Sequence, residues 1–124
     1  MRILLVEDHL DTARVLRRLL NGSAGHDVSL AASVAQAVAL CQHERFDLLI
    51  CDLSLPDGDG WQLLQHLRTL CSTPAIALSA HAYEADRQRS GEVGFAAHLA
   101  KPVHIDELLA TIESVSAQAA PPAS

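Results

Sequence analysis

The chain has 124 residues, with 9 basic and 15 acidic side chains and a formal net charge of −6 when histidine is counted as neutral. This length fits one domain, and so acidic a composition argues against a nucleic-acid-binding face. Apolar residues make up 49% of the sequence, enough for a core without disulfides. No apolar run reaches the ~18 residues that span a bilayer, so we expect a cytoplasmic protein that binds neither nucleic acid nor membrane.

Short apolar runs predict the strands of a sheet. They are Ile3–Val6, Val28–Ala31, Leu48–Cys51, Ala75–Leu78 and Ala96–Ala100, the last interrupted by His98. Several of these runs are apolar on both sides, which favours a parallel sheet covered by helices on both faces.

Segments with helical spacing lie between the predicted strands. They are marked by Ala13, Leu16 and Leu20; by Val34, Val38 and Cys41 after a capping box at Ser33 and Gln36; by Leu63, Leu64, Leu67 and Leu70; by Tyr83–Ser90; and by Ile105, Leu108, Leu109, Ile112 and Val115. The segment Tyr83–Ser90 has few apolar residues, so we predict a marginal and mobile helix there. The alternation of strands and helices predicts an α/β domain over residues 1–118. Residues 119–124 are rich in Ala and Pro and predict a tail or the start of a linker.

Polar side chains follow four of the predicted strands. Glu7 and Asp8 follow the first strand, Asp52 the third, Ser79 the fourth and Lys101 the fifth. Because the carboxyl ends of parallel strands meet at one edge of a sheet, we expect these side chains to lie close together.

Three carboxylates at one sheet edge repel one another, and partial burial increases that cost. A hard divalent cation such as Mg²⁺, or Mn²⁺, would offset the repulsion through oxygen ligands. A metal, the Lys101 amine and the Ser79 hydroxyl around one carboxylate suit a phosphoryl group. The metal and the amine can stabilise its oxygens while a carboxylate attacks phosphorus.

Four stretches of the sequence together resemble the receiver domain of bacterial two-component response regulators, over essentially residues 1–116. They are LLVEDH at 4–9, DLSLPDGDG at 52–60, ALSA at 77–80 and GFAAHLAKPV at 94–103. The resemblance implies a single-domain, flavodoxin-like (βα)5 fold with a five-stranded parallel sheet in the order 2-1-3-4-5. It also implies a signal-transduction phosphoprotein that accepts a phosphoryl group from a histidine kinase or a histidine phosphotransfer protein. Its chemistry would be limited to self-phosphorylation from small donors and autodephosphorylation, so we do not expect an enzyme.

The resemblance also implies a role for each site residue. Asp52 would be the phosphoacceptor and, with Asp8, would bind Mg²⁺ directly. Glu7 would reach the metal through water, and the backbone carbonyl of Ser54 would complete the protein ligands.

Other residues would bind the phosphoryl group or lie at the rim of the site. Ser79 and Lys101 would bind a phosphoryl oxygen, and the Lys101–Pro102 peptide bond would be cis. Ser54 and His81 would lie at the rim and tune the lifetime of the phosphorylated state.

His98 occupies the position at which the family usually has Tyr or Phe, a ring that turns inward when the Ser or Thr moves toward the phosphate. We interpret His98 as a surface residue on the partner-binding face; the alternative is that it makes the same movement less completely. The HLAKPV form is similar to receivers fused to hybrid sensor kinases, which favours a phosphorelay receiver. Phosphorylation would shift the loop after Ser79 and the Tyr83–Ser90 helix, and so change the affinity for an output domain or a downstream protein.

Two other classes of protein would place similar residues at a sheet edge. A metal-dependent phosphatase with an Asp nucleophile usually has a second Asp two residues further on, where this chain has Ser54. A pseudo-receiver that only binds partners usually lacks the acids or the lysine, whereas this chain has all five site residues.

Overall fold

The structure, a computed structural model, describes residues 1–80 and 84–119. In order along these residues, the elements are β1 (Arg2–Val6), α1 (Leu10–Ala24), β2 (Asp27–Ala31), α2 (Val34–His43), β3 (Leu48–Asp52), β4 (Ser54–Leu55), β5 (Gly58–Asp59), α3 (Gly60–Leu67), β6 (Ala75–Ser79), α4 (Glu84–Val93), β7 (Ala97–Ala100) and α5 (Ile105–Ala119). None of the described helices is both long and apolar enough to cross a membrane.

Five of the strands form one parallel sheet in the order β2-β1-β3-β6-β7. Counted along the chain without the two short strands, this is the order 2-1-3-4-5, so the predicted fold class is confirmed. Strand β3 lies at the centre and every residue in it is buried. Helices therefore cover both faces of the sheet, as the unbroken apolar runs predicted.

Neighbouring side chains along each central strand point into two separate cores, because side chains alternate across a strand. Leu5 and Ile50 belong to the core beneath α1 and α5. Leu4, Leu49 and Cys51 belong to the core beneath α2 and α3. Burial from both sides fixes the strand ends in place, and the candidate site lies at those ends.

The third helix is shorter than its leucine spacing predicted. Helix α3 ends at Leu67, and Leu70 lies beyond it with 42% of its surface exposed. The backbone N–H groups of Thr69 and Leu70 bond to carbonyls three residues back, which tightens the chain into a turn. The apolar spacing includes one more leucine, Leu70, which lies three residues past the end of the helix. The assignment of Leu70 to the helical stripe was therefore wrong.

Helix α4 extends to Val93, three residues beyond the predicted end at Ser90, and the predicted first residue, Tyr83, lies outside the described residues. The N-cap of α2 is Ser33, as predicted, and its hydroxyl accepts from the N–H of Gln36 at 3.1 Å. At the other end of the chain, α5 ends at Ala119, the first residue of the predicted tail. Residues 120–124 lie outside the described part of the structure.

Candidate functional site

The candidate site lies at the edge of the sheet where the carboxyl ends of β1, β3, β6 and β7 meet. Asp52 is the last residue of β3 and Ser79 the last of β6. Glu7 and Asp8 directly follow β1, and Lys101 directly follows β7. These strands are parallel and adjacent, so the fold brings their carboxyl ends to the same edge, as the sequence predicted.

The Asp52 carboxylate is held in a fixed orientation, with only 5% of the residue exposed. Its Oδ1 accepts from the backbone N–H of Ser54 at 3.1 Å, and its Oδ2 accepts from Lys101 Nζ at 2.8 Å. The next residue is bound into the sheet, because the N–H of Leu53 donates to the carbonyl of Leu78 at 2.9 Å. The carboxylate therefore stands at the end of a rigid central strand.

Lys101 connects two carboxylates at this edge. Its Nζ lies 2.8 Å from Glu7 Oε2 and 2.8 Å from Asp52 Oδ2. Burial by itself lowers the pKa of Lys101, but the hydrogen bonds to Asp52 and Glu7 outweigh that effect, so the pKa is raised and the ammonium stays charged. The backbone N–H of Lys101 also donates to the carbonyl of Ser79 at 2.7 Å. The Lys101–Pro102 peptide bond is cis, the geometry that the resemblance implies.

Glu7, Asp8 and Asp52 form a cluster in which one carboxylate oxygen from each lies within 4.8 Å of the others. Glu7 is only 2% exposed, whereas Asp8 is exposed. Burial raises the pKa of Glu7, the hydrogen bond from Lys101 lowers it in part, and the neighbouring Asp52 raises it further, so the net direction is upward. Three carboxylates faced by one ammonium fit a hard divalent cation, which prefers such oxygen ligands.

The loop after Asp52 is held by backbone pairing within itself and by contacts with α2. Residues 54–55 and 58–59 pair as short antiparallel strands, β4 and β5. The Asp57 carboxylate accepts from the N–H groups of Val34 and Ala35 at 2.8 and 3.0 Å, and these bonds lower the pKa of Asp57. The loop is thereby attached to the N-terminus of α2.

Gly60, the first residue of α3, lies against the backbone that carries Asp52. A Cβ at Gly60 would lie 2.7 Å from the Asp52 carbonyl oxygen and 3.0 Å from the Cα of Leu53. Only a residue without a Cβ fits this approach. The sequence signal for this contact is the second glycine of DGDG.

An open groove of about 670 Å³ leads from the surface to the acids. Its polar end contains Asp52, Asp8 and Lys101, and its apolar wall is formed by Val15, Leu16, Leu19, Pro102 and Val103. Ser54 is exposed in the lining of the groove, whereas Ser79 is 8% exposed at the end of β6. His81, the other predicted rim residue, lies outside the described residues.

The interpretation of His98 as a surface residue was wrong. Only 8% of His98 is exposed, and its ring points inward from β7. Its Nδ1 lies 3.0 Å from the hydroxyl of Ser90, which also accepts from the indole N–H of Trp61 at 2.9 Å. Neither Ser90 nor Trp61 stood out in the sequence, because a single buried hydroxyl on a polar helix leaves no periodic pattern.

Comparisons with known proteins agree with this architecture. A sequence model described as the response regulator receiver domain matches residues 3–113. The chain is 38% identical over 116 residues to an uncharacterized 14.6 kDa protein of Leptolyngbya boryana, with 91% of this chain and 88% of that protein covered. It is 36% identical to the transcriptional regulatory protein HprR of Escherichia coli K12, with 92% of this chain and 51% of HprR covered. The chain thus spans about half the length of the transcriptional regulators among its curated relatives.

A solved structure carries the same fold together with a metal. The receiver domain of the sensor histidine kinase PA1611 of Pseudomonas aeruginosa PAO1 is 33% identical, with a TM-score of 0.84. The match covers 94% of this chain and 97% of that one, and in that protein a magnesium ion is coordinated in the active site cleft.

Proposed function

Because this chain belongs to the response regulator receiver domain family, we propose that it accepts a phosphoryl group on Asp52 from the phosphohistidine of a histidine kinase or a histidine phosphotransfer protein. One observation carries the proposal. Asp52 is a nearly buried carboxylate in contact with the Lys101 ammonium and within 4.8 Å of the oxygens of Glu7 and Asp8. Such a group can attack phosphorus while neighbouring positive charge stabilises the phosphoryl oxygens.

The donor set supports Mg²⁺ or Mn²⁺ as the cofactor, because hard cations of this kind bind carboxylate and carbonyl oxygens. Asp8 and Asp52 would bind the metal directly, Glu7 through water, and Ser54 through its backbone carbonyl. The bound metal would supply positive charge that stabilises the phosphoryl oxygens.

The residues of the chain then act in a simple sequence. A carboxylate oxygen of Asp52 forms the new bond to phosphorus as the phosphorus–nitrogen bond of the donor breaks. Lys101, which bonds Glu7 and Asp52 in this structure, moves its ammonium to a phosphoryl oxygen, and the Ser79 hydroxyl binds another. The low exposure of Asp52 limits the access of water to the acyl phosphate. Ser54, in the lining of the groove, and His81, two residues after Ser79 in the sequence, would tune its lifetime.

Phosphorylation adds about two negative charges beside Asp52. Ser79 and Lys101 gain a common partner, and the connection from β6 to α4 shifts with them. The surface formed by α4, β7 and α5 then changes its affinity for an output domain or a downstream protein. His98 on β7 is buried beneath this surface and belongs to the proposed switch.

The family is regulatory, so we assign no enzymatic turnover beyond self-phosphorylation from small donors and autodephosphorylation. Residues 1–118 form the receiver domain in this proposal, and residues 119–124 form a tail or the start of a linker. The location that we propose for this reaction is the cytoplasm.

The proposal is tested by incubating the protein with acetyl phosphate and Mg²⁺ and measuring the intact mass. We expect wild-type protein to gain the mass of one phosphoryl group, and Asp52→Asn to gain none. Chelation of Mg²⁺ should abolish the gain, because the acidic cluster would then lack its cation.

Asp106→Asn is the matched control, since Asp106 is an exposed acid in the first turn of α5, away from the site. It should be phosphorylated as fully as the wild type. An adduct that survives Asp52→Asn, or folded wild-type protein that gains no adduct, would contradict the assignment of Asp52.

A further inference from the structure

Helix α4 lacks the apolar stripe that usually fixes a helix on a sheet. Its sequence is EADRQRSGEV, in which Ala85 is exposed and Val93 is only partly buried. Among the side chains of α4 that the structure describes, Ser90 is the buried one, at 1% exposure. A polar side chain therefore occupies the central contact of this helix with the domain.

The Ser90 hydroxyl joins α4 to two other elements. The indole N–H of Trp61, on α3, can only donate, so at 2.9 Å the Ser90 oxygen is its acceptor. The same oxygen lies 3.0 Å from Nδ1 of His98 on β7. Around this centre, Arg87 Nη1 donates to the His98 carbonyl at 3.0 Å, and the Arg89 guanidinium lies 4.1 Å from the centre of the Trp61 ring. We call Trp61, Ser90 and His98 the polar latch.

The contacts of His98 favour a neutral imidazole over a charged one. Nδ1 of a neutral His98 ring can accept the Ser90 hydroxyl proton or donate its own proton to the Ser90 oxygen, whereas a charged ring can only donate. His98 Nε2 is buried and has no partner among the described residues. An imidazolium would leave a charged N–H there without an acceptor, which is far more costly than a neutral one.

The environment of His98 also lowers its pKa and so favours the neutral ring. Burial lowers the pKa of His98, the Arg87 guanidinium lowers it further, and Asp86 offsets part of the effect. Both charged groups lie on α4. From the other elements packed against the ring, α3 contributes the uncharged Trp61, and β6 contributes Ala77 as the register partner. Among the described residues, no acid accepts a hydrogen bond from Nε2.

We propose that Ser90 is a positioning residue that turns the His98 ring inward before any phosphorylation, and that the polar latch holds α4 on α3 and β7 only while His98 is neutral. A released ring has the ordinary pKa of 6.5 and binds a proton more readily than the docked ring. The latch is therefore at full strength above this pH and weakens as the pH falls below it. Acid would loosen the surface formed by α4, β7 and α5, which is the surface that phosphorylation is proposed to change. This effect on signalling rests on the proposed function, whereas the latch itself does not.

The test uses the single tryptophan of the chain, whose indole N–H is itself part of the latch. The protection factor of this N–H against solvent exchange is measured by NMR on unphosphorylated, metal-free protein at about pH 8 and about pH 5.5, on either side of the ordinary histidine pKa. We expect the wild-type indole N–H to be protected at the higher pH. At the lower pH its protection factor should fall about tenfold, because that is the effect of losing one net hydrogen bond.

Three variants separate positioning from mere packing. Ser90→Ala should lose the protection at both pH values, and Ser90→Thr, which keeps the hydroxyl, should regain part of it. His98→Asn keeps a polar atom close to the place of Nδ1 but does not titrate, so it should stay protected at both pH values. The exposed residues Ser114 and His66 provide the controls Ser114→Ala and His66→Asn, which should behave as wild type.

Wild-type protection in Ser90→Ala, or an acid loss in His98→Asn equal to that of the wild type, would overturn the latch. Phosphorylation by acetyl phosphate is measured in parallel on the wild type and on each variant, and His66→Asn should be phosphorylated as the wild type is. If neither the wild type nor any variant is phosphorylated, the proposed function is contradicted. The indole exchange data would still test the polar latch on their own.

Discussion

Helices α3 and α4 are neighbours on the same side of the sheet, but different interactions hold them there. Helix α3 buries three leucines completely, Leu63, Leu64 and Leu67. Among the described side chains of α4, the buried one is Ser90, and further contacts of this helix are hydrogen bonds and those of two arginines. Burying one leucine stabilises a fold by about 1.5–3 kcal/mol, whereas one hydrogen bond contributes about 0.5–1.5 kcal/mol net.

From this difference we expect α3 to keep its position in the domain and α4 to move more easily. Helix α3 begins against the backbone of Asp52 and must not move if the site is to keep its geometry. Helix α4 follows the strand that ends in Ser79, and we expect its displacement to cost less free energy than that of α3. Local stability commonly differs in this way between a core and a segment that moves in signalling.

The largest expected effect is that of Leu64→Ala on α3. Leu64 is fully buried, so the truncation removes apolar contacts and leaves a cavity, which should lower the free energy of unfolding by about 2–5 kcal/mol. The urea midpoint measures this loss. Leu70→Ala, at a leucine that is 42% exposed just beyond the helix, is the matched control and should change the midpoint little. Equal losses for the two variants would remove the distinction between buried and exposed leucines on which the comparison depends.

Gly60→Ala should have an intermediate effect. Its Cβ would contact the carbonyl oxygen of Asp52 at 2.7 Å, and a main-chain atom has little freedom to move away. We expect a loss of about 1–3 kcal/mol, as for overpacked positions, together with slower phosphorylation of Asp52 by acetyl phosphate. A variant with the wild-type urea midpoint and the wild-type phosphorylation rate would contradict the role of Gly60 in positioning the acid.

The smallest effect, and one of opposite sign, is expected for Gly91→Ala within α4. A Cβ at Gly91 meets nothing within 4 Å, and glycine costs a helix about 0.5–1 kcal/mol relative to alanine. Amide exchange of residues 84–93 should therefore slow. Gly22→Ala, at an equally open position in α1, is the control and should leave the exchange of α4 unchanged. Unaltered exchange in Gly91→Ala would mean that helix propensity does not limit the stability of α4.

The sequence predicted the sheet well because its strands are local apolar runs and parallel topology leaves few alternatives. The same reasoning placed Asp52, Ser79 and Lys101 at one edge of the sheet. Residue roles at that edge, including the metal ligands, remain predictions that the mass and variant experiments test.

The orientation of His98 could not be predicted from the sequence in the same way. Its partner Ser90 lies eight residues away, and Trp61 lies 29 residues from Ser90. Polar contacts between distant segments have no periodicity that a sequence pattern could reveal. The polarity of histidine favoured the surface, and only the fold provides the hydroxyl that allows the ring to be buried.

The attachment of Asp57 to the N-terminus of α2 has a consequence for binding energetics. The short β4–β5 hairpin begins two residues after Asp52, and two hydrogen bonds to the Asp57 carboxylate connect it to Val34 and Ala35. A loop that becomes ordered only on ligand binding loses conformational entropy in that step, which weakens the affinity. Here the loop is already ordered by folding, so the cation and the phosphodonor would encounter a preorganised site.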